Sequence, residues 1–163
     1  MKIALASDHA GFTSAKEIKT FLEQAGHEVS DYGPTSLNTD DDYPDYVLPA
    51  ARALANGDCD AAIILGGSGQ GEAIAANRIR GVRCAVFYSP AYVTAPEELN
   101  GQISNNPYEI IKLSRRHNLA NALSLGVRFL NLGEIKRAID VWLSEPLGSE
   151  ERHLRRIKKI DNE

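Results

Sequence analysis

Residues 60–71 read DAAIILGGSGQG, a short apolar run that passes directly into a glycine-rich loop. Two isoleucines and a leucine end the run, which is typical of a strand buried on both faces of a parallel sheet. Helix-forming residues follow the loop from Glu72 to Arg78. A strand, a tight loop and a helix in this order predict a βα unit whose loop lies at the carboxyl end of the strand.

Outward from this unit, short apolar runs alternate with amphipathic stretches along the chain. Strands are predicted near 2–6, 27–29, 60–65, 82–88 and 122–125, and helices near 13–25, 43–56, 72–78, 109–117, 134–144 and 150–159. This alternation predicts an α/β fold: a three-layer α/β/α sandwich, Rossmann-like or flavodoxin-like, with a five-stranded parallel sheet. Turn-formers and carboxylates at 33–44 predict a loop.

The chain is expected to form a single domain, 1–163, with a loop insertion at about 92–108 and a C-terminal helical tail at about 150–163. No strand follows the last helix. We therefore expect this helix to leave the globule and pack on a partner subunit.

The composition is that of an ordinary globular domain, with 43% hydrophobic and 25% charged residues among 163. A net charge of −4 argues against a general nucleic-acid binder. No apolar run approaches the roughly 20 residues of a transmembrane helix, and the first residues turn polar too soon for a signal peptide. Cys59 and Cys84 fit no metal-ligand spacing. A cytoplasmic protein with reduced thiols and no membrane or nucleic-acid partner is expected.

The glycine loop is the first candidate for chemistry. The backbone N–H groups of residues 66–71 could converge on an anion at a helix N-terminus, although the loop matches neither common nucleotide-binding fingerprint and could equally be a tight turn. Glu72 follows the loop, where a carboxylate could act as a base beside oxyanion donors. The alternative is a first-turn glutamate that complements the helix dipole.

Three other polar groups are candidates. Asp8 and His9 follow the first strand, where they could bind a polyol or phosphate, or cap the next helix. A histidine in the run 115–118 could perform acid–base chemistry on a sugar, or belong to a solvated helix end. Arg152 and Arg156 lie one helical turn apart and could hold one phosphate, or form a solvated face.

These candidate residues belong to motifs that occur in the same order along the chains of one known family. The chain resembles the ribose-5-phosphate isomerase B family, which also includes the galactose-6-phosphate isomerase subunits. The matching motifs are Ser-Asp-His-Ala-Gly at 7–11, Asp-Tyr-Pro at 42–44, the glycine loop at 66–71 with Ile-Ala-Ala-Asn-Arg at 74–78, Arg-His-Asn at 116–118, Leu-Gly-Val-Arg at 125–128 and Arg-His-Leu-Arg-Arg at 152–156. Many members carry a cysteine base where this chain has Gly66. A second branch has a glutamate just after the loop, and Glu72 resembles that branch.

The resemblance implies an isomerase that interconverts aldose and ketose phosphates through a cis-enediolate, without a metal or other cofactor. Glu72 is expected to be the base, Ser68 to hold the enediolate oxygen with the loop amides, and His117 to open the furanose ring. The expected substrate-binding residues are Asp8, His9, Tyr43, Gly67, Gly69, Gly71, Asn118, Arg128, Arg152, His153 and Arg156. Because the family's site lies between subunits, the resemblance also implies a homodimer, or a tetramer as in some members.

Ribose 5-phosphate and ribulose 5-phosphate, of the pentose phosphate pathway, are the expected substrate pair. The stretch between Ser89 and Arg116 is longer than expected for the family, and its extra material, at about 92–108, enters near the end of the fourth strand. This insertion could reshape the sugar pocket or add to the dimer contact. A six-carbon substrate, allose 6-phosphate or galactose 6-phosphate, is therefore the alternative. A non-catalytic sugar-phosphate-binding protein is an alternative of another class. Retention of Glu72, Ser68 and His117 together argues against it, because binding alone requires no base. A flavodoxin-like cofactor carrier has no supporting motif.

Overall fold

A computed structural model describes residues 1–96, 101 and 103–162. The strands are β1 (Lys2–Ser7), β2 (Glu28–Asp31), β3 (Ala61–Gly66), β4 (Cys84–Phe87) and β5 (Ala122–Gly126), and the helices are α1 (Phe12–Gln24), α2 (Pro44–Asn56), α3 (Gln70–Ala76), α4 (Glu109–Asn118), α5 (Leu132–Ser144) and α6 (Glu151–Asp161). The predicted α/β fold is confirmed. The predicted insertion at about 92–108 and the tail at about 150–163 lie partly outside the described residues.

The five strands run parallel in the order β2-β1-β3-β5-β4. Strand β3 is central and buried along its whole length, as its apolar run predicts. It pairs with β1 on one side and, through Gly66 opposite Gly126, with β5 on the other. The order begins as in flavodoxin-like sheets and then places β4 at the edge, outside β5. Strands β1, β3 and β5 therefore end side by side, and the loops that follow them meet.

Alternate residues of the central strands enter two cores, because successive side chains of a strand point to opposite faces of the sheet. On one face, residues such as Ile3 and Leu5 pack with α1, α4 and α5, including the fully buried Trp142. On the other face, small residues such as Ala4 pack with Ile64 against α2 and α3. None of the helices in the described part of the chain is long and apolar enough to cross a membrane.

The expectation that the last helix leaves the globule is wrong, because α6 packs against its own chain. It contacts α4 and buries His153 and Ile157, which are 4% and 5% exposed. Arg83, just before β4, donates to the Asp161 carboxylate at 3.2 Å. The packing of α6 on a partner subunit stays a prediction.

We expect Gly69→Ala to lower the free energy of unfolding more than Gly57→Ala does. Both glycines have positive φ, 75° and 81°, so alanine costs about 1–2 kcal/mol at either position. At Gly69 the added Cβ also lies 3.1 Å from the Ser124 hydroxyl oxygen, whereas at Gly57 it meets no described atom within 4 Å. Urea unfolding of both variants measures the difference, and equal losses would contradict the crowding at Gly69.

Candidate active site

Hydrogen bonds attach the glycine loop to the end of β5. The N–H groups of Val127 and Arg128 donate to the carbonyls of Gly66 and Gly67 at 2.9 and 3.1 Å. The buried Ser124 hydroxyl donates to the Gly69 carbonyl at 2.8 Å. The loop is therefore fixed against the neighbouring strand at the carboxyl edge of the sheet, where ligands bind in open parallel sheets.

Glu72, in the first turn of α3, is 4% exposed, and its carboxylate lies over Gly66. A Cβ atom built on Gly66 would overlap the Glu72 Cδ and Oε1 atoms. Position 66 must therefore be glycine while Glu72 holds this conformation. This close packing distinguishes Glu72 from an exposed first-turn glutamate that only complements the helix dipole.

Burial raises the pKa of Glu72, and the charge of Asp8 adds to the rise. The residue's own backbone hydrogen bond and the charges of Arg128 and His9 lower it, with a net increase. A carboxylate with a raised pKa accepts a proton more readily, as a general base requires. Burial also raises the pKa of the Cys84 thiol to about 12, so this cysteine is not a thiolate base at neutral pH.

Asp8 and His9 leave the end of β1 beside this loop. One oxygen of Asp8 accepts the N–H groups of Ala10 and Gly11 at 3.0 and 3.2 Å, so Asp8 does bond the backbone that enters α1. The His9 Nδ1 atom lies 2.5 Å from the Asp41 Oδ1 atom and 3.8 Å from the Asp8 Oδ2 atom. The hydrogen bond that Asp41 accepts from the ring raises the pKa of His9.

Asp41 is a site residue that the sequence pattern did not reveal. Three consecutive aspartates at 40–42 indicate only a polar loop, yet the Asp41 side chain is 3% exposed and contacts His9. Its position directly before the Asp-Tyr-Pro motif was the one available signal.

Asp8, His9 and Asp41 are the only three potential metal ligands that the structure brings together within residues 1–96, 101 and 103–162, with donor atoms within 4.8 Å of one another. The separation of 2.5 Å between His9 and Asp41 is that of a short hydrogen bond and is too small for an ion to lie between the two atoms. One Asp8 oxygen is already bonded to backbone N–H groups. These contacts favour a hydrogen-bonded carboxylate–histidine pair over a metal site.

Tyr43 and Arg128 flank the glycine loop. A Cβ atom on Gly71 would lie 2.9 Å from the Tyr43 hydroxyl oxygen, and one on Gly67 would lie 3.2 Å from the Arg128 guanidinium carbon. The Ser68 hydroxyl accepts the Gln70 N–H at 3.3 Å. We call this group the loop cluster; its members are Asp8, His9, Tyr43, Gly67, Ser68, Gly69, Gly71, Glu72 and Arg128.

The other predicted site residues form a second group on α4 and α6. The His117 and His153 rings stack with their centroids 4.1 Å apart and their planes 10° apart. Burial lowers the pKa of His153, and the charges of His117, Arg152 and Arg156 lower it further. We call this group the helix cluster; its members are His117, Asn118, Arg152, His153 and Arg156.

One chain holds the two clusters at opposite edges of the sheet. Helix α4 ends at the edge of the sheet where the strands begin. There the Asn121 N–H, just before β5, donates to the Arg83 carbonyl, just before β4. The glycine loop lies beyond the other end of β5, and a five-residue strand separates its ends by roughly 13 Å. Within a single chain the predicted site residues therefore form two separate groups, and their meeting in one site between subunits stays a prediction.

A cavity of about 480 Å³ lies beside β4 and the first residues of the predicted insertion. Its described lining contains no charged side chain and includes Phe87, Tyr88, Tyr92 and Ile110. An apolar lining of this kind does not suit a phosphate, so the loop cluster remains the candidate site despite the size of this cavity.

The family described as Ribose/Galactose Isomerase matches residues 3–103 and 104–160. Ribose-5-phosphate isomerase B of Mycolicibacterium paratuberculosis is 38% identical over 158 residues, which cover 96% of this chain and 87% of that protein. The structure of Clostridium thermocellum ribose-5-phosphate isomerase B superposes with a TM-score of 0.84 at 36% identity, covering 99% of this chain and 96% of that one. The Mycoplasma genitalium enzyme of the same name, solved with bound ribulose 5-phosphate, gives 0.82 at 33% identity and covers 99% and 94%.

We expect Glu72→Gln to raise the free energy of unfolding at neutral pH. The raised pKa means that the folded chain binds the Glu72 proton more tightly than the unfolded chain, so stability is lost as pH rises through that pKa. Below the ordinary value of 4.5 both states are protonated and the advantage of glutamine disappears. Urea unfolding from about pH 4 to pH 8 checks this. A glutamine variant that is less stable at pH 8, or a difference independent of pH, would contradict the burial of a charged carboxylate.

Proposed function

The chain belongs to the ribose/galactose isomerase family, and we propose that it is a metal-independent aldose–ketose isomerase that interconverts ribose 5-phosphate and ribulose 5-phosphate. The buried Glu72 carboxylate beside the glycine loop is the observation that carries this proposal. Relatives named ribose-5-phosphate isomerase B, and a relative's structure with bound ribulose 5-phosphate, support the substrate pair.

Glu72 is the proposed base. In the aldose-to-ketose direction its carboxylate takes the proton from C2, the C2–H electron pair forms the C1=C2 bond, and the carbonyl π pair moves to the C1 oxygen. The resulting cis-enediolate receives the proton at C1, and the C2 hydroxyl passes its own proton to the C1 oxygen and becomes the ketone. No oxidant or reductant is consumed, because the electrons move only between neighbouring carbons.

The glycine loop supplies the electrostatic part of this chemistry. The N–H groups of Gly67, Gly69 and Gly71 are candidate donors to the enediolate oxygen, and Ser68 carries the hydroxyl proton between the two oxygens. Fixed donors stabilise the developing charge because they need no reorganisation during the reaction, and one such donor is typically worth about 3 kcal/mol. The hydrogen bonds from Val127 and Arg128 to the loop support its rigidity.

The helix cluster belongs, in this proposal, to the site of a second copy of the chain. His117 opens the furanose ring, and Asn118 binds the intermediate. Arg152 and Arg156 hold the phosphate together with Arg128 of the loop cluster. His153 lines the pocket. The separation of the two clusters within one chain supports a homodimer, because acid–base groups must approach the substrate to within hydrogen-bond distance. Phosphate contacts far from the reacting carbons contribute binding energy that positions them.

We expect purified protein to exchange the proton on the carbon beside the carbonyl of ribose 5-phosphate in heavy water, with EDTA present. Glu72→Gln should lower kcat by about 10²- to 10⁴-fold, because the amide cannot accept the proton, while substrate still binds. NMR of the exchange, with calorimetry for binding, measures both.

The same exchange and binding measurements are made with allose 6-phosphate and galactose 6-phosphate. Exchange of a six-carbon substrate alone would replace the proposed substrate pair. Binding without exchange of any compound would indicate a non-catalytic sugar-phosphate-binding protein. Full turnover by Glu72→Gln would show that another group is the base.

We expect two inactive variants to restore activity when their subunits are mixed. In a heterodimer of Glu72→Gln and His117→Ala chains, one site carries both changes and the other carries neither. Random pairing then returns about a quarter of the wild-type activity.

The matched control mixes Glu72→Gln with Ser68→Ala, which lie in the same cluster. Every site of that heterodimer contains one defective loop cluster, so mixing should add no activity. Recovery in the control, or none with His117→Ala, would contradict a site shared between subunits. Initial rates after joint unfolding and refolding give both results.

A further inference from the structure

The carboxylate of Asp41 is buried although it lies in a loop of exposed aspartates. Its side chain is 3% exposed, whereas the neighbouring Asp40 and Asp42 are exposed. The Asp41 Oδ1 atom lies 2.5 Å from the His9 Nδ1 atom and also accepts the His9 backbone N–H at 3.3 Å. Both contacts join the loop before α2 to the end of β1, which are separated by 32 residues in sequence.

The buried carboxylate faces two side chains. Its Oδ1 atom bonds His9 at 2.5 Å, whereas its Oδ2 atom makes no hydrogen bond of good geometry among the described residues. The Tyr46 hydroxyl is the other neighbour, and a hydrogen bond with Asp41 contributes to the raised pKa of Tyr46. The short contact with His9 is the better defined of the two, so His9 is the residue on which Asp41 acts most directly.

Several charges face His9 besides Asp41. Asp8 lies 3.8 Å from the His9 Nδ1 atom and raises the pKa of His9, whereas the charge of Arg128 lowers it. The charge of His9 in turn lowers the pKa of Glu72. The Asp41 carboxylate also acts on Tyr46, whose pKa is raised by burial, by the Asp41 charge and by a hydrogen bond with Asp41. The hydrogen bond that Asp41 accepts from His9 is the largest influence on the pKa of His9, and the net result is an increase.

A carboxylate on one ring nitrogen fixes a histidine's orientation and leaves the other nitrogen for a ligand. In His9 the Nδ1 atom is bonded to Asp41, and the side chain is 27% exposed, so the ring remains accessible. The raised pKa of His9 favours the protonated imidazole, in which Nδ1–H donates to Asp41 and Nε2–H is the donor available to a substrate oxygen.

We propose that Asp41 is a positioning residue, which holds His9 by its Nδ1 atom so that the Nε2–H group donates to an oxygen of the sugar phosphate. This inference rests on the proposed isomerase function for its substrate. Its structural part, the coupling of Asp41 to His9, does not depend on catalysis.

We expect Asp41→Asn to raise KM for ribose 5-phosphate by about tenfold at pH 7.5, because the substrate loses one charge-assisted hydrogen bond. The kcat of the variant should stay within about twofold of the wild-type value. Lowering the pH to 6 protonates more of the variant's imidazole, so the loss of affinity should be smaller there than at pH 7.5. Asp40→Asn, which changes a neighbouring exposed aspartate, is the matched control and should leave both constants unchanged.

Two further measurements separate positioning from a general structural defect. In a His9→Gln background, Asp41→Asn should have no additional effect on KM, because the residue that it acts through is gone. In ¹⁵N NMR without substrate, with the His9 signals assigned by their absence in His9→Gln, Asp41→Asn should lower the His9 pKa.

An equal loss of affinity at both pH values, additive effects in the double variant, or an unchanged His9 titration would each overturn the proposal. If the wild-type protein turns over no sugar phosphate, the proposed function fails and the substrate role of His9 fails with it. The NMR titration would still report, independently, whether Asp41 controls His9.

Discussion

Two hydrogen bonds extend the pairing of β3 and β5 to the loops that follow these strands. The N–H groups of Val127 and Arg128 donate to the carbonyls of Gly66 and Gly67. They fix the start of the glycine loop, and the loop in turn fixes the first turn of α3, from which Glu72 lies back over Gly66. They also bring Arg128 to the same edge. The candidate site is thus an extension of the sheet's own hydrogen bonding, with the precision that a rigid element gives to a functional group.

Much of this arrangement follows from sequence patterns with a physical basis. The apolar run at 61–65 predicted the central strand, and the glycine loop after it predicted where polar groups collect. The residue pattern offered Glu72, the histidine of 115–118 and two of the arginines of α6 as candidates, and the family resemblance assigned their roles. The pattern could not predict that β4 lies outside β5, because strand order depends on packing between distant elements. It also missed Asp41, because an aspartate in a polar loop carries no sign of its burial against a histidine 32 residues earlier.

The division of the predicted site residues into two clusters gives each a different electrostatic character. The loop cluster combines carboxylates with His9 and Arg128, and the pKa of Glu72 is raised there mainly by burial. The helix cluster is cationic, and the pKa of His153 is lowered by burial and by its neighbours' charges. One group therefore suits proton transfer and the other suits an anion. Because α6 packs on α4 of the same chain through His153 and Ile157, a single chain assembles the helix cluster by itself.

The overlap of the Glu72 carboxylate with the space of a side chain at position 66 also constrains how such a site can evolve. While Glu72 holds this conformation, no side chain fits at position 66, and a residue with a side chain there requires Glu72 to move. A substitution at 66 is therefore tolerated only in a chain that also accommodates a displaced or replaced residue at 72. The two positions are expected to change together rather than one at a time.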